Sequence, residues 1–432
     1  MMITTNAAQP VTIPSLEEER IGFYLWGGPG TIRMTYVKYF NPRFDEQSIL
    51  GCYEPDYLAK AKDLFGITDC WVSYSWGFSD ETEREDRQFI LNRLENFKRL
   101  GLRVHAYIQG PNLVYDDFKD KPGWWARDEK GRLITYYRGR KVCSIHNEEY
   151  VAYVVKKIED LYGAGFDGIY VDNIQHGQLG APTRPGQMPY VFCGDASEAG
   201  RRAFRAETGL HIPEDFDLNP ELTRAYLEFR IRANTAFIAT LGETAHRGGM
   251  EFGTNFYDPK FDPSYIYGVD LVDTAKVQDY VLFENHAMPR DDGRRHNAYI
   301  DALIDKHYPD KRVFVVTYDQ GVGMAPQFTQ GQLDNLFSEA KQSKFSLCLK
   351  GGEFTTNGKW HCLYLDQIQK PNDTKMLPRP AIKDRADLLQ TLLAVEFIRL
   401  MVKRYYNPLV RIAFEWRLMR FLIKLGYDTI VK

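Results

Sequence analysis

The sequence predicts an α/β protein: a (β/α)8 TIM barrel with long inserts after strands three and four and a C-terminal helical extension. Three observations predict it: eight short apolar runs rich in β-branched and aromatic residues, amphipathic helical segments between them, and the steady alternation of the two. Strand-helix alternation makes a parallel sheet, and eight is the number of strands that closes one into a barrel. A doubly wound open sheet has the same rhythm. It is disfavoured because "GGPGTIR", after the first run, lacks the G-x-G-x-x-G spacing of a phosphate loop.

The runs are "IGFYLWGG" (21-28), "DCWVSYSWG" (69-77), "RVHAYIQG" (103-110), "FDGIYVDNIQ" (166-175), "EFGTNFYD" (251-258), "DYVLFENH" (279-286), "RVFVVTYDQG" (312-321) and "KFSLCLKGGEF" (344-354). Between them, segments such as 81-101, 148-165 and 331-343 place apolar residues three and four apart, as helices lying on a sheet require. Residues 111-147 form an aromatic-rich insert with a hairpin signal at "DEKGR". Residues 176-250 open with the Gly/Pro-rich loop "HGQLGAPTRPGQMP" and continue into helices around 195-208 and 218-247. Long loops inside compact domains are usually functional or disordered, and both inserts follow the carboxyl ends of strands. The domain reading is an N-terminal extension (1-20), a barrel (21-365) and a C-terminal helical extension (366-432), with a polar loop at 366-382 and a helix near 384-404. The tail at 405-432 sets Arg411, Arg417, Arg420 and Lys424 among bulky apolar residues. Packing on the outside of the barrel is the first reading, and contact with a membrane surface the second.

Composition narrows the function classes. The 432 residues are 44% apolar and 26% charged, so the chain has ample material for a core. The 55 basic and 58 acidic residues are spread along the chain, which argues against nucleic acid as a partner. Cys52, Cys70, Cys143, Cys193, Cys348 and Cys362 are scattered without a C-x-x-C pair, so reduced thiols are expected rather than a zinc knuckle or disulfide scaffold. The N-terminus lacks the basic and apolar regions of a signal peptide, and no window reaches the ~18 apolar residues of a membrane span. A cytoplasmic location is the expectation.

In a barrel the last side chains of each strand point into the mouth, where chemistry is done. They read as Trp26; Tyr74 and Trp76; Tyr107 and Gln109; Asp172, Asn173 and Gln175; Asn255, Tyr257 and Asp258; Glu284 and His286; Tyr318 and Asp319; and Lys350 and Glu353. This polar, carboxylate-rich cup with aromatic walls suits a carbohydrate substrate. Asp172 and Glu284 stand out because each follows a buried apolar run ("GIYV", "YVLF") and each precedes an Asn. Glycoside hydrolysis needs two such carboxyls: about 5-5.5 Å apart for a retaining route, roughly 6.5-9.5 Å when a water must fit between them. Apolar surroundings are expected to raise Glu284, while amides such as Asn173 and Gln175 keep Asp172 ionised. Taken singly, an Asp after a strand is most often a cap or turn residue, and Glu284 could pair with an arginine such as Arg290. His176, His286 and His296 have no metal-ligand spacing, so neither metal nor cofactor is expected. Trp124 and Trp125 offer either a sugar platform or an anchor for the first insert.

The stretch "VHAYIQGPNLV...WWARDEKGRLI...GFDGIYVDNIQ" resembles hypothetical glycoside-hydrolase-like (β/α)8 proteins, and "YVLFEN" is similar to the endo-α-1,4-polygalactosaminidase type of barrel. The likeness spans roughly residues 20-360, with its sharp motifs in 103-175 and 279-286. It implies an Asp nucleophile after strand four, Asp172, and a Glu acid/base after strand six, Glu284. The helical insert at 176-250, the C-terminal extension and the missing secretion signal depart from that pattern. The leading expectation is a retaining glycosidase acting on an α-linked poly- or oligosaccharide. Two others compete with it: a metal-dependent lyase or isomerase using Asp172, Glu284 and His286, and a non-catalytic saccharide-binding barrel.

Overall fold

The structure is a computed structural model that describes residues 15-25, 27-30, 50-136, 139-176, 178-180, 190-192, 194-214, 220-257, 267-284, 291-316, 329-354, 360-362 and 365-377. The strands are β1 (Gly22–Leu25), β2 (Asp69–Ser75), β3 (Arg103–Gln109), β4 (Gly168–Asp172), β5 (Glu251–Tyr257), β6 (Tyr280–Glu284), β7 (Arg312–Val316) and β8 (Ser346–Phe354). Each pairs in parallel with the next, and β1 pairs with β8, which closes the ring. The expected TIM barrel is therefore observed. A short segment, Trp360–Cys362, adds antiparallel to β8.

Helices join the strands from outside: α1 (Pro55–Phe65), α2 (Asp80–Leu91), α3 (Leu94–Arg99), α4 (Glu148–Glu159), α5 (Glu198–Thr208), α6 (Pro220–Arg247), α7 (Leu271–Ala275), α8 (Ala298–His307) and α9 (Gln330–Lys341). Several of their starts are set by short polar side chains that satisfy free amide donors: Ser79 accepts from Thr82 N, Asn147 from Tyr150 N, and Thr329 forms a reciprocal box with Gln332. Strand side chains alternate. Val104, Ala106, Ile108, Ile169 and Val171 face the helices in the outer core, while Tyr107, Tyr170, Tyr280 and Phe314 fill the barrel.

The interior is layered. At the N-terminal ends of the strands lies an ionic layer of Arg20, Asp69, His105 and Glu251, all buried. Above it sits an aromatic layer in which Trp71 stacks on Tyr24 and His105 (centroids 5.7 and 5.1 Å) and donates to Tyr280 Oη at 3.0 Å. Rings this large fit only because facing positions are glycine: a Cβ on Gly22 would lie 2.2 Å from Trp71, and one on Gly253 would lie 2.2 Å from the Tyr280 ring. The third layer, at the mouth, is polar.

Both inserts cover the mouth side. In the first, residues 112-114 pair antiparallel with 140-142, and a second hairpin turns at Asp128–Gly131, where the "DEKGR" signal lies. Ala126, Ile134, Tyr136 and Val142 form a small core of its own. Trp124 and Trp125 are buried; Trp124 packs on Tyr150 and Tyr153 of α4 (5.8 and 5.0 Å), so of the two expected roles they take that of anchor. In the second insert, 178-180 pairs with 190-192, and α5 and α6 share the core of Phe204, Tyr226, Leu227 and Phe229. Asp195 clamps the two together: it accepts from the Ser144 hydroxyl, from Ser197 N (2.7 Å) and Oγ (2.9 Å), and from Arg127 N (3.2 Å). No helix among the described residues is long and apolar enough to cross a membrane. The helix expected at 384-404 and the 405-432 tail lie outside the described residues.

Candidate active site

Asp172 is the last residue of β4 and Glu284 the last of β6, so both strands deliver their carboxyls to the mouth layer. Asp172 is 2% exposed. Its Oδ2 accepts from Tyr107 Oη and from Asn173 Nδ2, both at 2.6 Å, whereas Oδ1 is buried and has no hydrogen-bond partner. One oxygen is thus held by two donors and the other by none.

Glu284 is half-buried, and Asn255 Nδ2 donates to its Oε1 at 2.9 Å. The same Asn255 side chain accepts from Asn173 N at 2.8 Å. One buried amide on β5 therefore bridges the backbone after Asp172 to the second carboxyl. Asn173 itself has φ 55°, the only non-glycine residue in the left-handed region among the described residues. It is held there on several sides: Gly110 N donates to the Asp172 carbonyl (2.7 Å), Asn255 takes the Asn173 amide, and Tyr136 Oη donates to Asn173 Oδ1.

The electrostatics of the pair differ from the expectation. Burial, followed by the charge of Glu284, pushes the Asp172 carboxyl up to about 7, against the hydrogen bonds from Tyr107 and Asn173 and the positive charge of Lys350. The more deeply buried acid is thus Asp172 and not Glu284, because β4 is covered by both inserts. Tyr24 and Tyr170 form the floor beneath the two acids. Burial raises both phenols well above their usual range, and the two carboxylates add to that. A raised carboxyl alone does not mark a reactive site. Glu339 is also pushed up to about 7 by burial, yet both its oxygens accept hydrogen bonds from Asn297.

Of the other expected site residues, Tyr107, Gln109, Asn173, Asn255 and Lys350 surround the pair. The Tyr107 hydroxyl also lies 3.1 Å from Gln109 Oε1, but having one proton it gives it to the carboxylate. Lys350 is buried on the inward face of β8. Trp76 joins the interior aromatic cluster and lies under Arg140, whose guanidinium is 5.1 Å from the ring. Tyr74 is a correction: it packs outward on Phe166 (5.7 Å) with Arg87 over its ring, because the register shift between Ser73 and Ser75 separates its face from that of Trp76. Gln175 is a second correction. It is 4% exposed, but neither amide atom has a partner, so it does not hold Asp172. Trp26, Asp258, His286, Arg290, Tyr318 and Asp319 lie outside the described residues, as do the side chains of Tyr257 and Glu353. Sequence reasoning missed Tyr24, Tyr170 and Tyr136. The first two share the inward parity of neighbouring site residues and were legible from it; Tyr136 carried no signal.

A second acidic cluster tests the metal reading. Asp69, His105 and Glu251 have ligand atoms close enough to share an ion, the only such trio among the described residues. Arg20 already holds that position. Its guanidinium donates to Asp69 Oδ2 at 3.0 Å, to Asp69 Oδ1, and to Glu251 at 3.3 and 3.1 Å. His105 Nε2 completes it, 2.9 Å from Asp69 Oδ1. Burial alone would raise the Asp69 carboxyl, but His105 and Arg20 pull it well below its usual range.

No family model matches the chain, and no curated protein matches it significantly. Among solved structures it is similar to the β-galactosidase of the psychrophilic Marinomonas ef1 at 11% identity, with 90% of this chain and 60% of that one covered and a TM-score of 0.51. It is similar also to the catalytic domain of β-amylase from Paenibacillus polymyxa (12% identity; 77% and 92% covered; TM-score 0.48) and to Aspergillus fumigatus Ega3, solved in complex with galactosamine (12%; 83% and 99%; 0.39). At such identities the likeness is one of fold.

Proposed function

We propose that the protein is a glycoside hydrolase that cleaves an α-linked poly- or oligosaccharide with retention of configuration. The observation that carries this reading is the asymmetric dressing of Asp172: two donors on Oδ2, none on Oδ1, with Glu284 tied to the same scaffold through Asn255. A nucleophilic carboxylate needs one oxygen oriented and the other free, and its partner must carry the proton. Burial first, and the charge of Glu284 second, raise Asp172 to about 7, so its carboxyl titrates near neutral pH. The retaining route needs the charge on Asp172 and the proton on Glu284: the two donors on Oδ2 favour the Asp172 carboxylate, which forms as pH rises through about 7.

Asp172 Oδ1 then attacks the anomeric carbon as Glu284 protonates the departing glycosidic oxygen, giving a glycosyl ester on Asp172. Glu284, now ionised, takes a proton from water, which hydrolyses the ester and restores both groups. Tyr24 and Tyr170 keep water from the underside of the pair. The α-linkage rests on the sequence resemblance of "GFDGIYVD" and "YVLFEN" to polygalactosaminidase-type barrels.

The test is an oligosaccharide screen with the wild type, Asp172→Asn and Glu284→Gln, reading product stereochemistry by NMR. Retention of the anomer with loss of turnover in both variants supports the reading. Turnover that survives in both variants overturns it, and inversion overturns the double displacement.

A further inference from the structure

We propose that Tyr136, carried by the hairpin insert after β3, is a positioning residue for the acid pair, acting through Asn173 to keep Asp172 oriented and charged. Its catalytic meaning rests on the glycosidase reading, but the relay itself is a matter of geometry.

Tyr136 is 6% exposed, and its hydroxyl donates to Asn173 Oδ1 across 37 residues of sequence. The Asn173 side chain then donates through Nδ2 to Asp172 Oδ2 at 2.6 Å, and its backbone N donates to Asn255 Oδ1 at 2.8 Å. Asn255 passes the connection to Glu284. An asparagine at φ 55° ordinarily turns its side-chain oxygen back on its own backbone. The Tyr136 hydroxyl takes that oxygen instead and leaves the NH2 aimed at the carboxylate. Accepting a hydrogen bond on its oxygen also makes an amide the stronger donor. The hairpin thus does more than roof the mouth; it sets the rotamer of the residue that holds Asp172.

The groups facing Asp172 are Tyr24 from β1, Tyr107 from β3, Tyr170 on its own strand, Glu284 from β6 and Lys350 from β8. Removing the phenolic hydroxyl of Tyr136 changes none of these charges, so any shift in the titration of Asp172 reports the relay. The sign is fixed: a weaker donor disfavours the carboxylate, so its midpoint moves up.

The measurement is the pH titration of the Asp172 carboxyl in the full chain labelled with 13C-aspartate, assigned by difference against Asp172→Asn. Tyr136→Phe is expected to raise the midpoint by about 0.5-1 unit. Asn173→Gly, which suits the left-handed backbone and deletes the donor, is expected to raise it at least as far. The double variant should go no further than Asn173→Gly alone, since both act on one path. Val142→Ala, in the same small core as Tyr136, should lower Tm and leave the midpoint in place. An unmoved midpoint in Tyr136→Phe, additive shifts in the double variant, or an equal shift in Val142→Ala would each overturn the relay. The readout needs no substrate, so a shifted midpoint in a protein that turns over no glycan would sink the glycosidase reading and leave the relay standing.

Discussion

At the lower end of the barrel, Asp69 and Glu251 are fully buried and share the guanidinium of Arg20, with His105 and Arg103 adding to the compensation. At the upper end, Asp172 has neutral donors and one lysine whose charge reaches it, and Glu284 accepts from Asn255. One strand, β5, contributes to both ends, with Glu251 at its first position and Asn255 four residues on. One acid at each end is therefore driven in the opposite direction: Asp69 down, Asp172 up. Asp69 and Asp172 are both buried, so it is charge compensation that separates the directions in which they move. The lower pair is the control that the upper one requires.

The comparison can be broken at either end. The largest expected effect is on turnover: Glu284→Gln should lower kcat by about 10²-10⁴-fold and Asp172→Asn by at least as much, measured on the oligosaccharide that the screen identifies. Next comes stability at the lower end. Asp69→Asn leaves Arg20 with one carboxylate and should cost about 3-5 kcal/mol at pH 7 by urea denaturation, while leaving the Asp172 titration in place. Because the Asp69 carboxyl is depressed in the fold, its contribution is present above ~4, the unfolded value, and fades as pH falls below it. Loss of that contribution on going to alkaline pH would contradict the assignment.

A smaller and opposite effect is expected at the mouth. The Asp172 carboxyl rises to about 7 in the fold, so the native state holds the proton more tightly than the unfolded chain. Stability should gain as pH falls from about 7 towards ~4, and Asp172→Asn should be the more stable protein at pH 8 by roughly 1-2 kcal/mol. At pH 5 the advantage should be smaller, and it should vanish as pH falls below ~4, the unfolded value. An equal stabilisation at both pH values would show that ionisation of Asp172 is not its source. Between the two ends, Gly253→Ala would push a methyl into the Tyr280 ring and should cost about 1-3 kcal/mol, with little change in either acid pair.

Much of this architecture was legible in the sequence, for reasons particular to each part. Strands buried on both faces read as unbroken apolar runs, so all eight were visible. The mouth layer was legible from strand ends, which is why Tyr107, Gln109, Asp172, Asn255, Glu284 and Lys350 can be named from the sequence. Tyr74 failed because a register shift in β2 breaks the period of two, and nothing in "WVSYSWG" announces a bulge. The direction of the pKa shift failed for another reason. Which acid is buried more depends on the inserts that roof β4, and the packing of an insert is a long-range property. Tyr136 was invisible in the same way: its partner lies just past the end of β4, 37 residues on, and no spacing in "ITYYRGRK" points to it.

The Asp195 clamp has a consequence for how such a barrel can be remodelled. One carboxylate binds Ser144 and Arg127, which belong to the insert after β3, and Ser197, which caps α5 in the insert after β4. Two appendages that are separate in sequence are thereby a single heritable unit. A chimera that transplants either loop alone would strand a buried carboxylate and spoil the recipient's fold before substrate preference could be read. Recombination or grafting of the mouth should succeed only when 111-147 and 176-250 travel together.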